Sequence, residues 1–216
     1  MKILSDIYWI FFKKRNFSQG NEESILADIF KMKSNGFYLD VGCHHPMRFS
    51  NTAALYKKGW TGINIDGDKR NLKLFKFFRK KDINLNYLVS NSIKDVTFYF
   101  FEETALNGIL SKRRIDFLNE NSVRPVKKEK IRTITLNEIL KIYFKNRKNK
   151  IDFLTIDVEG HDFEVLKSID LDKYFVKLIL IEVNENKKLV DIYLKKNGYN
   201  LFGIEDRNMF YIKNDN

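Results

Sequence analysis

Residues 37–46 read FYLDVGCHHP and residues 62–66 read GINID. An apolar run ends at a turn with one glycine, a helix-like segment follows, and a second apolar run ends in a carboxylate. A Rossmann-like βαβ unit holds a nucleoside in this way, because the glycine lets the backbone approach the ligand and the acid accepts hydrogen bonds from ribose hydroxyls. The spacing from Gly42 to Asp66 is close to the roughly 20 residues expected for that acid.

The glycine turn also indicates which kind of nucleoside cofactor would bind. Gly42 is followed by Cys43, His44, His45 and Pro46, so the further glycines of a dinucleotide-binding turn are absent. The chain also contains no Gly-Lys-Ser or Gly-Lys-Thr run for phosphate binding. A cofactor with a ribose but no phosphate fits better, which points to S-adenosylmethionine. An ordinary strand, turn and helix without a ligand is the alternative.

Three further segments carry a resemblance to a known family. They read SQGNE at residues 18–22, SNT at residues 50–52 and IDVEGHD at residues 156–162. Together with the DVG and HHP motifs they resemble the FkbM family of class I S-adenosylmethionine-dependent methyltransferases over nearly the whole chain. The resemblance implies an O-methyltransferase that acts on a hydroxyl of a sugar or a polyketide-like acceptor. One departure is Asn21-Glu22-Glu23, where relatives tend to show Gly-Glu-Asp.

The resemblance and the hydrophobic pattern predict an α/β fold of the Rossmann-like class I methyltransferase type. Its mostly parallel seven-stranded sheet would carry helices on both faces and end in an antiparallel strand. Strands are expected at residues 37–41, 62–66, 85–89, 96–101, 151–156, 178–183, 199–204 and 209–212. Helices are expected at residues 22–32, 69–80, 135–144 and 187–196, and from a cap at Ser50 or Asn51 to residue 58.

Candidate site residues follow from the expected sheet. Ligands of such sheets bind beyond the carboxyl ends of the strands, and all three histidines of the chain fall there. The predicted cofactor-binding residues are Asp40, Gly42, His44, Asp66 and Ser90, the predicted substrate-binding residues are His45, Asn107, Arg113 and Arg114, and the predicted catalytic residues are Asp157, Glu159 and His161.

The catalytic candidates follow from the chemistry of methyl transfer to oxygen. A sugar hydroxyl is a weak nucleophile at neutral pH, so it needs a base or a metal ion that lowers its pKa. Asp157, Glu159 or His161 could supply the base, whereas Asp157 with Glu182 and Asn184 could hold a divalent cation through oxygen ligands. A structural turn in which Asp157 and Glu159 cap the following helix is the alternative.

Residues 104–128 are expected to form a polar, mobile excursion beside the site. Loops of this kind carry specificity while the sheet carries the cofactor. The basic runs Lys112-Arg113-Arg114 and Lys127-Lys128 suit an anionic acceptor, such as a nucleotide-linked sugar or a phosphorylated glycan, with Arg113 and Arg114 on the phosphate. A solvated loop is the alternative.

Composition favours one enzyme domain over a nucleic-acid-binding protein. The chain has 216 residues and a formal net charge of +11, and its length allows one substantial core. Lys and Arg are spread along it, and neither a basic face interleaved with aromatics nor a named nucleic-acid module is evident. We expect a small-molecule or glycan acceptor and no nucleic-acid partner. A nucleic-acid methyltransferase and a non-catalytic module that binds S-adenosylmethionine stay open as alternatives.

The N-terminal part is predicted to be a helical extension, residues 1–35, ahead of a methyltransferase domain, residues 36–216. Residues 3–12 are apolar and precede a basic run at residues 13–15, but a bilayer span takes about 20 residues. We expect a helix packed on the domain or on a second copy in a homodimer. Peripheral attachment to the inner face of the membrane is the alternative. A lone Cys43 fits a reducing, cytoplasmic location.

Overall fold

The structure is a computed structural model and describes residues 16–145, 148–183 and 186–214. The predicted membrane or dimer contact of residues 1–15 and the predicted metal ligand Asn184 lie outside the described residues. Within the described ranges, the structure contains no helix with the length and apolar character needed to cross a membrane.

Strands of the described chain form two sheets. Their bounds are β1 Phe37–Val41, β2 Thr61–Ile65, β3 Ile83–Leu85, β4 Leu88–Val89, β5 Asp95–Phe100, β6 Lys127–Ile134, β7 Lys150–Ile156, β8 Phe175–Glu182, β9 Tyr199–Glu205 and β10 Asn208–Lys213. The main sheet has seven strands in the order β3-β2-β1-β7-β8-β10-β9. Only β10 runs antiparallel to its neighbours. The predicted fold class is confirmed.

Helices pack on both faces of this sheet. Their bounds are α1 Glu22–Ile29, α2 Ala53–Lys57, α3 Leu72–Phe78, α4 Lys112–Glu120, α5 Leu136–Tyr143, α6 Asp162–Leu166 and α7 Lys187–Lys196. Successive strand residues point to opposite faces, so Leu39 and Leu154 join a core with residues of α5, α6 and α7. Tyr38 and Phe153 join the other core, with residues of α1 and α2. Covering both faces buries β1 at every position.

The third predicted strand, residues 85–89, is wrong as a single element. The chain forms β3, which belongs to the main sheet, and then β4, which belongs to a second sheet of order β4-β6-β5. Asn86 separates the two strands, and its side-chain amide donates to the backbone oxygens of Asp66 and Gly67. These bonds hold the backbone at the end of β2, so the strand cannot continue in the main sheet.

The excursion predicted at residues 104–128 has regular structure instead. It contains a 3₁₀ turn at Thr104–Leu106, helix α4 and the start of β6. Helix α4 begins at a cap, because the Ser111 hydroxyl accepts a hydrogen bond from the backbone N–H of Arg114. Strand β6 reads KKEKIRTI, a lysine-rich sequence with weak strand preference. Antiparallel pairing with β5 along its length fixes β6 as a strand.

Candidate functional site

A cleft lies at the carboxyl ends of β1, β2 and β7. The strand order reverses between β1 and β7, and α/β sheets bind ligands at such reversals. Gly42, Asp66 and Asp157, each directly after one of these strands, line the cleft. Counted out to its open mouth, the cleft has an empty volume of about 530 Å³.

Gly42 allows a close approach between two loops on the floor of the cleft. Its φ is +84°, and a Cβ added there would lie 1.8 Å from the backbone oxygen of Asp157. The backbone N–H of Gly42 also donates to the oxygen of Ile65 at 2.9 Å. Only glycine adopts this conformation without strain and leaves room for the neighbouring backbone. The sequence motif therefore determines how closely β1 and β7 meet at the cleft.

Asp66 is a carboxylate held in a fixed position at the cleft. It accepts hydrogen bonds from the backbone N–H groups of Asp68 and His44, at 2.7 and 2.9 Å, and from the Asn71 amide at 3.2 Å. Burial raises the pKa of Asp66 to about 6, and the donors oppose that rise. An ionised carboxylate has about four acceptor positions, so a ligand hydroxyl can still donate to it.

An apolar wall completes the cleft beside Asp66. It is formed by Tyr87, Leu88, Val89 and Phe98, which the sequence analysis did not identify as site residues. Phe98 comes from β5 of the second sheet and is buried. The apolar alternation of residues 96–100 signalled a strand with one buried face, but it carried no information about which surface that face covers. The second sheet therefore contributes directly to the cleft.

Acidic residues line the opposite part of the cleft, after β7. Burial raises the pKa of Glu159, and the charge of Glu182 raises it further, whereas the guanidinium of Arg114 opposes the rise. Arg114 contacts the Glu159 carboxylate at 2.7 Å. Glu159 also has a φ of +59°, a conformation that costs a non-glycine residue energy and occurs often at functional sites.

Asp162 holds the loop that carries these acids. Its two carboxylate oxygens accept hydrogen bonds from the backbone N–H groups of Val158 and Gly160, at 2.8 and 2.9 Å. Burial raises the pKa of Asp162 to about 7. No side chain caps the following helix, α6. The loop before it is held by Asp162 instead, a residue that the sequence analysis did not single out.

A segment that overlaps the start of the excursion, residues 102–114 and here called the strap, runs along the cleft. Three polar contacts hold it. Glu103 contacts Arg48 at 3.1 Å, Asn107 donates to Asp68 at 2.8 Å, and Arg114 contacts Glu159. The strap also places Thr104, Ala105 and Gly108 along the cleft. The sequence prediction placed this excursion beside the site, and the structure brings it there.

The predicted site residues divide into two groups. Those that line the cleft are Gly42, His44, Asp66, Asn107, Asp157, Glu159 and His161, with Arg114 bonded to one of them. Those that lie outside its lining are Asp40, His45, Ser90 and Arg113.

Three of the outlying residues bond to loops near the cleft. Asp40 is buried and accepts a hydrogen bond from the Thr52 hydroxyl at 2.6 Å. Ser90 is also buried, and its hydroxyl lies 2.9 Å from His161 Nε2. The His45 Nδ1 accepts from the backbone N–H of Arg48 at 2.8 Å. These contacts position the loops that line the cleft.

Residues 40–201 match the family model of the methyltransferase FkbM domain. The chain belongs to the FkbM methyltransferase family. The match begins near the end of β1 and contains β2, β7 and the whole of the second sheet. No curated protein and no solved structure matches this FkbM methyltransferase.

A fully buried arginine supports the glycine loop of this FkbM methyltransferase. Arg79 has no solvent exposure and donates to the Pro46 oxygen at 3.0 Å, the Tyr38 hydroxyl at 2.7 Å and the Ser50 hydroxyl at 3.0 Å. It lies 3.5 Å from the Asp82 carboxylate, which is also buried. In the sequence, Arg79 belongs to the run Arg79-Lys80-Lys81 and gives no sign of burial.

Polar contacts of another kind hold the start of helix α2. The prediction that Ser50 or Asn51 caps this helix is wrong, because Thr52 precedes the helix and no side chain caps it. The Thr52 hydroxyl instead donates to Asp40 and accepts from Arg79 at 3.0 Å. These polar residues therefore link the helix start to the end of β1.

The predicted metal site is brought together in part. Asp157 and Glu182 lie with Asp162 in a group whose carboxylate oxygens are within 4.8 Å of one another. Carboxylates are suitable ligands for Mg²⁺ or Ca²⁺. However, Asp162 already binds two backbone N–H groups, and Glu182 contacts Arg207 at 3.3 Å. These contacts give two of the three carboxylates a partner without a cation. Metal ligation stays a prediction.

Proposed function

We propose that this methyltransferase uses S-adenosylmethionine to methylate a hydroxyl of a sugar or glycan-type acceptor, including nucleotide-linked sugars. One observation supports the proposal above all. A single cleft combines a fixed carboxylate, Asp66, an apolar wall and the acids of the β7 loop. When bound, the cofactor supplies a methyl group on a positively charged sulfur.

The donor and acceptor groups of the cleft fit such a cofactor. Asp66 would accept hydrogen bonds from the ribose hydroxyls, and Tyr87, Leu88 and Phe98 would enclose the flat base. His44 lies beside this carboxylate, because its backbone N–H donates to Asp66.

Removing the Asp66 carboxylate should weaken binding of S-adenosylmethionine. We expect Asp66→Ala to cost about 1–3 kcal/mol, because charge-assisted hydrogen bonds to ribose are lost. The pKa of Asp66 is about 6, so wild-type affinity should also fall as the pH drops below about 6, and Asp66→Asn should flatten that fall. Calorimetry with the cofactor and with its demethylated product measures both effects.

A matched control for this experiment is the exposed Asp172, which lies outside the cleft. Asp172→Asn removes the same charge and should bind like the wild type. Binding of NAD at the wild-type level, without binding of S-adenosylmethionine, would reject the cofactor assignment.

The β7 loop would act on the acceptor. Glu159 is the best-placed base, because its raised pKa favours proton acceptance near neutral pH and Arg114 fixes its carboxylate. His161 is a second candidate, because burial lowers its pKa and keeps the imidazole neutral. Holding donor and acceptor in line would supply much of the rate enhancement. Arg114, and Arg113 beside it on α4, would contact acidic groups of the acceptor.

Changing the acids should affect turnover more than cofactor affinity. We expect Glu159→Gln to lower kcat by about 10²–10⁴-fold, the usual contribution of a general base. Asp157→Asn should also lower kcat, through the chemical step or the positioning of the acceptor, and both variants should change the dissociation constant of S-adenosylmethionine little. Turnover assays on a panel of sugar and nucleotide-sugar acceptors, beside calorimetry, make the comparison. Full activity of both variants would leave them with a structural role only. A chelator titration of the wild type separates metal ligation from direct base catalysis.

The cellular setting is part of the same proposal. We infer a cytoplasmic enzyme whose N-terminal residues 1–15 pack on the domain or on a second copy of the chain, with contact to the inner face of the membrane as the alternative. The apolar and basic pattern of that segment supports this proposal.

A further inference from the structure

A second groove adjoins the cofactor cleft. Its empty volume is about 1370 Å³. One wall is β6, and the other consists of residues 67–70 and 86–88. Gly67, Tyr87 and Leu88 line both the groove and the cleft. The groove therefore adjoins the part of the cleft that the base of the cofactor would occupy.

An open strand edge borders this groove. Strand β6 pairs with β5 from Lys127 to Arg132, but it pairs with β4 only at Thr133 and Ile134. Among the described strands none pairs with the other edge of residues 127–132. Every second residue of a strand directs its backbone N–H and C=O to a given edge. The groove thus offers a row of hydrogen-bond donors and acceptors.

The groove carries an excess of positive charge. Its lining contains five basic residues, Lys69, Arg70, Lys127, Lys130 and Arg132, and two acidic ones, Asp68 and Glu129. The two acids are already paired, Asp68 with Arg70 and Glu129 with Lys127, each at 2.6 Å.

The remaining three cations are available to a ligand. Lys69, Lys130 and Arg132 are exposed, and the described structure shows no ion pair at any of them. Lys130 and Arg132 are two residues apart on β6, so their side chains lie on the same face of the strand, and both line the groove. Anionic groups along an extended ligand would meet these cations in turn.

The aromatic residues of the groove do not suit nucleic acid. The Phe100 ring lies 5.7 Å from the Arg70 guanidinium and 5.4 Å from Lys127 Nζ, so both cations stack on it. The Tyr87 hydroxyl lies 3.3 Å from that of Tyr143. Proteins that bind single strands offer open aromatic faces to the bases. Hydroxyl and carboxylate or phosphate groups on a sugar chain match a polar edge with cations better.

We propose that this groove binds a linear anionic glycan, as the part of the acceptor that lies outside the methylated sugar. The inference rests on the proposed glycan acceptor and extends it to residues of β6 and the β2–α3 loop. The neutral sugar hydroxyls would bond to the β6 edge, and the acidic groups would pair with Lys69, Lys130 and Arg132.

Binding of oligogalacturonate to the full chain tests the groove without any turnover. Calorimetry should show binding that weakens with added salt, and a neutral malto-oligosaccharide of the same length should bind far more weakly. The variant Lys69→Gln/Lys130→Gln/Arg132→Gln should lose affinity by about tenfold, as expected for three exposed ion pairs. Because cofactor and glycan occupy adjoining spaces, saturating S-adenosylmethionine should leave the glycan affinity unchanged.

A charge-matched control separates this site from general attraction to a basic protein. Lys173, Lys177 and Lys196 are exposed and lie outside the groove. Their triple Gln variant should bind oligogalacturonate as the wild type does, whereas an equal loss in both triple variants would overturn the proposal. Tighter binding of single-stranded oligodeoxythymidylate than of the glycan would also overturn it. Failure of S-adenosylmethionine to bind, with glycan binding intact, would instead reject the proposed cofactor.

Discussion

Replacing Gly42 with alanine should abolish measurable cofactor binding. The added Cβ would lie 1.8 Å from the backbone oxygen of Asp157, and the φ of +84° is itself unfavourable for alanine. Backbone atoms cannot rotate away as a side-chain tip can, so β1 and β7 must separate at the cleft. We expect the variant to lose at least about 3 kcal/mol of folding stability, because overpacking and conformational strain add together. Thermal unfolding and calorimetry with S-adenosylmethionine measure the two consequences.

Gly198→Ala provides the control for conformational strain alone. Gly198 has a φ of +76°, but the nearest atom to an added Cβ is Lys213 Nζ at 3.6 Å, which is ordinary contact. This variant should lose some stability and keep its cofactor affinity. If Gly42→Ala and Gly198→Ala behaved alike in both measurements, the close approach of the two loops would have no role in binding.

Loss of the Arg79 guanidinium should destabilise the fold strongly. Arg79→Met leaves the buried Asp82 carboxylate without its cation, and breaking a buried ion pair in this way costs about 3–5 kcal/mol. For a chain of this size that corresponds to a drop in Tm of roughly 10 °C. The loop from Pro46 to Ser50 also loses its anchor, so the affinity for S-adenosylmethionine should fall as well.

A double variant tests whether the uncompensated charge is the cause. In Arg79→Met/Asp82→Asn the buried side chain is neutral. Tyr38 and Gly62 donate to different oxygens of Asp82, so the single amide oxygen can accept from the Gly62 N–H while the amide nitrogen donates to the Tyr38 hydroxyl. Part of the stability should return, while cofactor affinity stays low because the loop is still unanchored. A double variant as unstable as Arg79→Met would show that lost packing, rather than charge, dominates.

The sequence was sufficient to predict the frame of the sheet and the place of residues such as Gly42 and Asp66 at its cleft. Strands β1 and β7 are buried on both faces, so they appear as short apolar runs that end at polar turns. Gly42 and Asp66 stand directly after such runs. For these two residues the sequence pattern also gives the position in the fold, because the carboxyl ends of parallel strands meet at one edge of the sheet.

The second sheet could not be predicted in the same way. Strand β6 has mostly exposed side chains, and its lysines are usual in loops. What makes it a strand is its pairing with β5, and nothing in the residues themselves indicates such a partner. The contribution of Phe98 to the cleft depends on that pairing, so the sequence alone does not predict this contribution either.

A single sequence also does not predict which acidic residues line the cleft. Asp40 and Asp66 each follow or end an apolar run, yet Asp66 lines the cleft and Asp40 accepts from Thr52 outside it. The distinction arises because successive residues of a strand point to opposite faces, and the segments that pack on each face are distant in sequence. The burial of Arg79 was likewise not predictable, because its partners lie on β1 and on the loop from Pro46 to Ser50, which are both distant in sequence.

The position of β1 between β2 and β7 has a consequence for synthesis on the ribosome. One edge of β1 pairs with β2 soon after both emerge, but the other edge waits for β7, which follows the entire second sheet in the chain. Until then a nascent chain has an exposed apolar strand edge, which other chains can pair with. A cofactor cannot rescue that intermediate, since the Asp157 side of its site has not yet been translated.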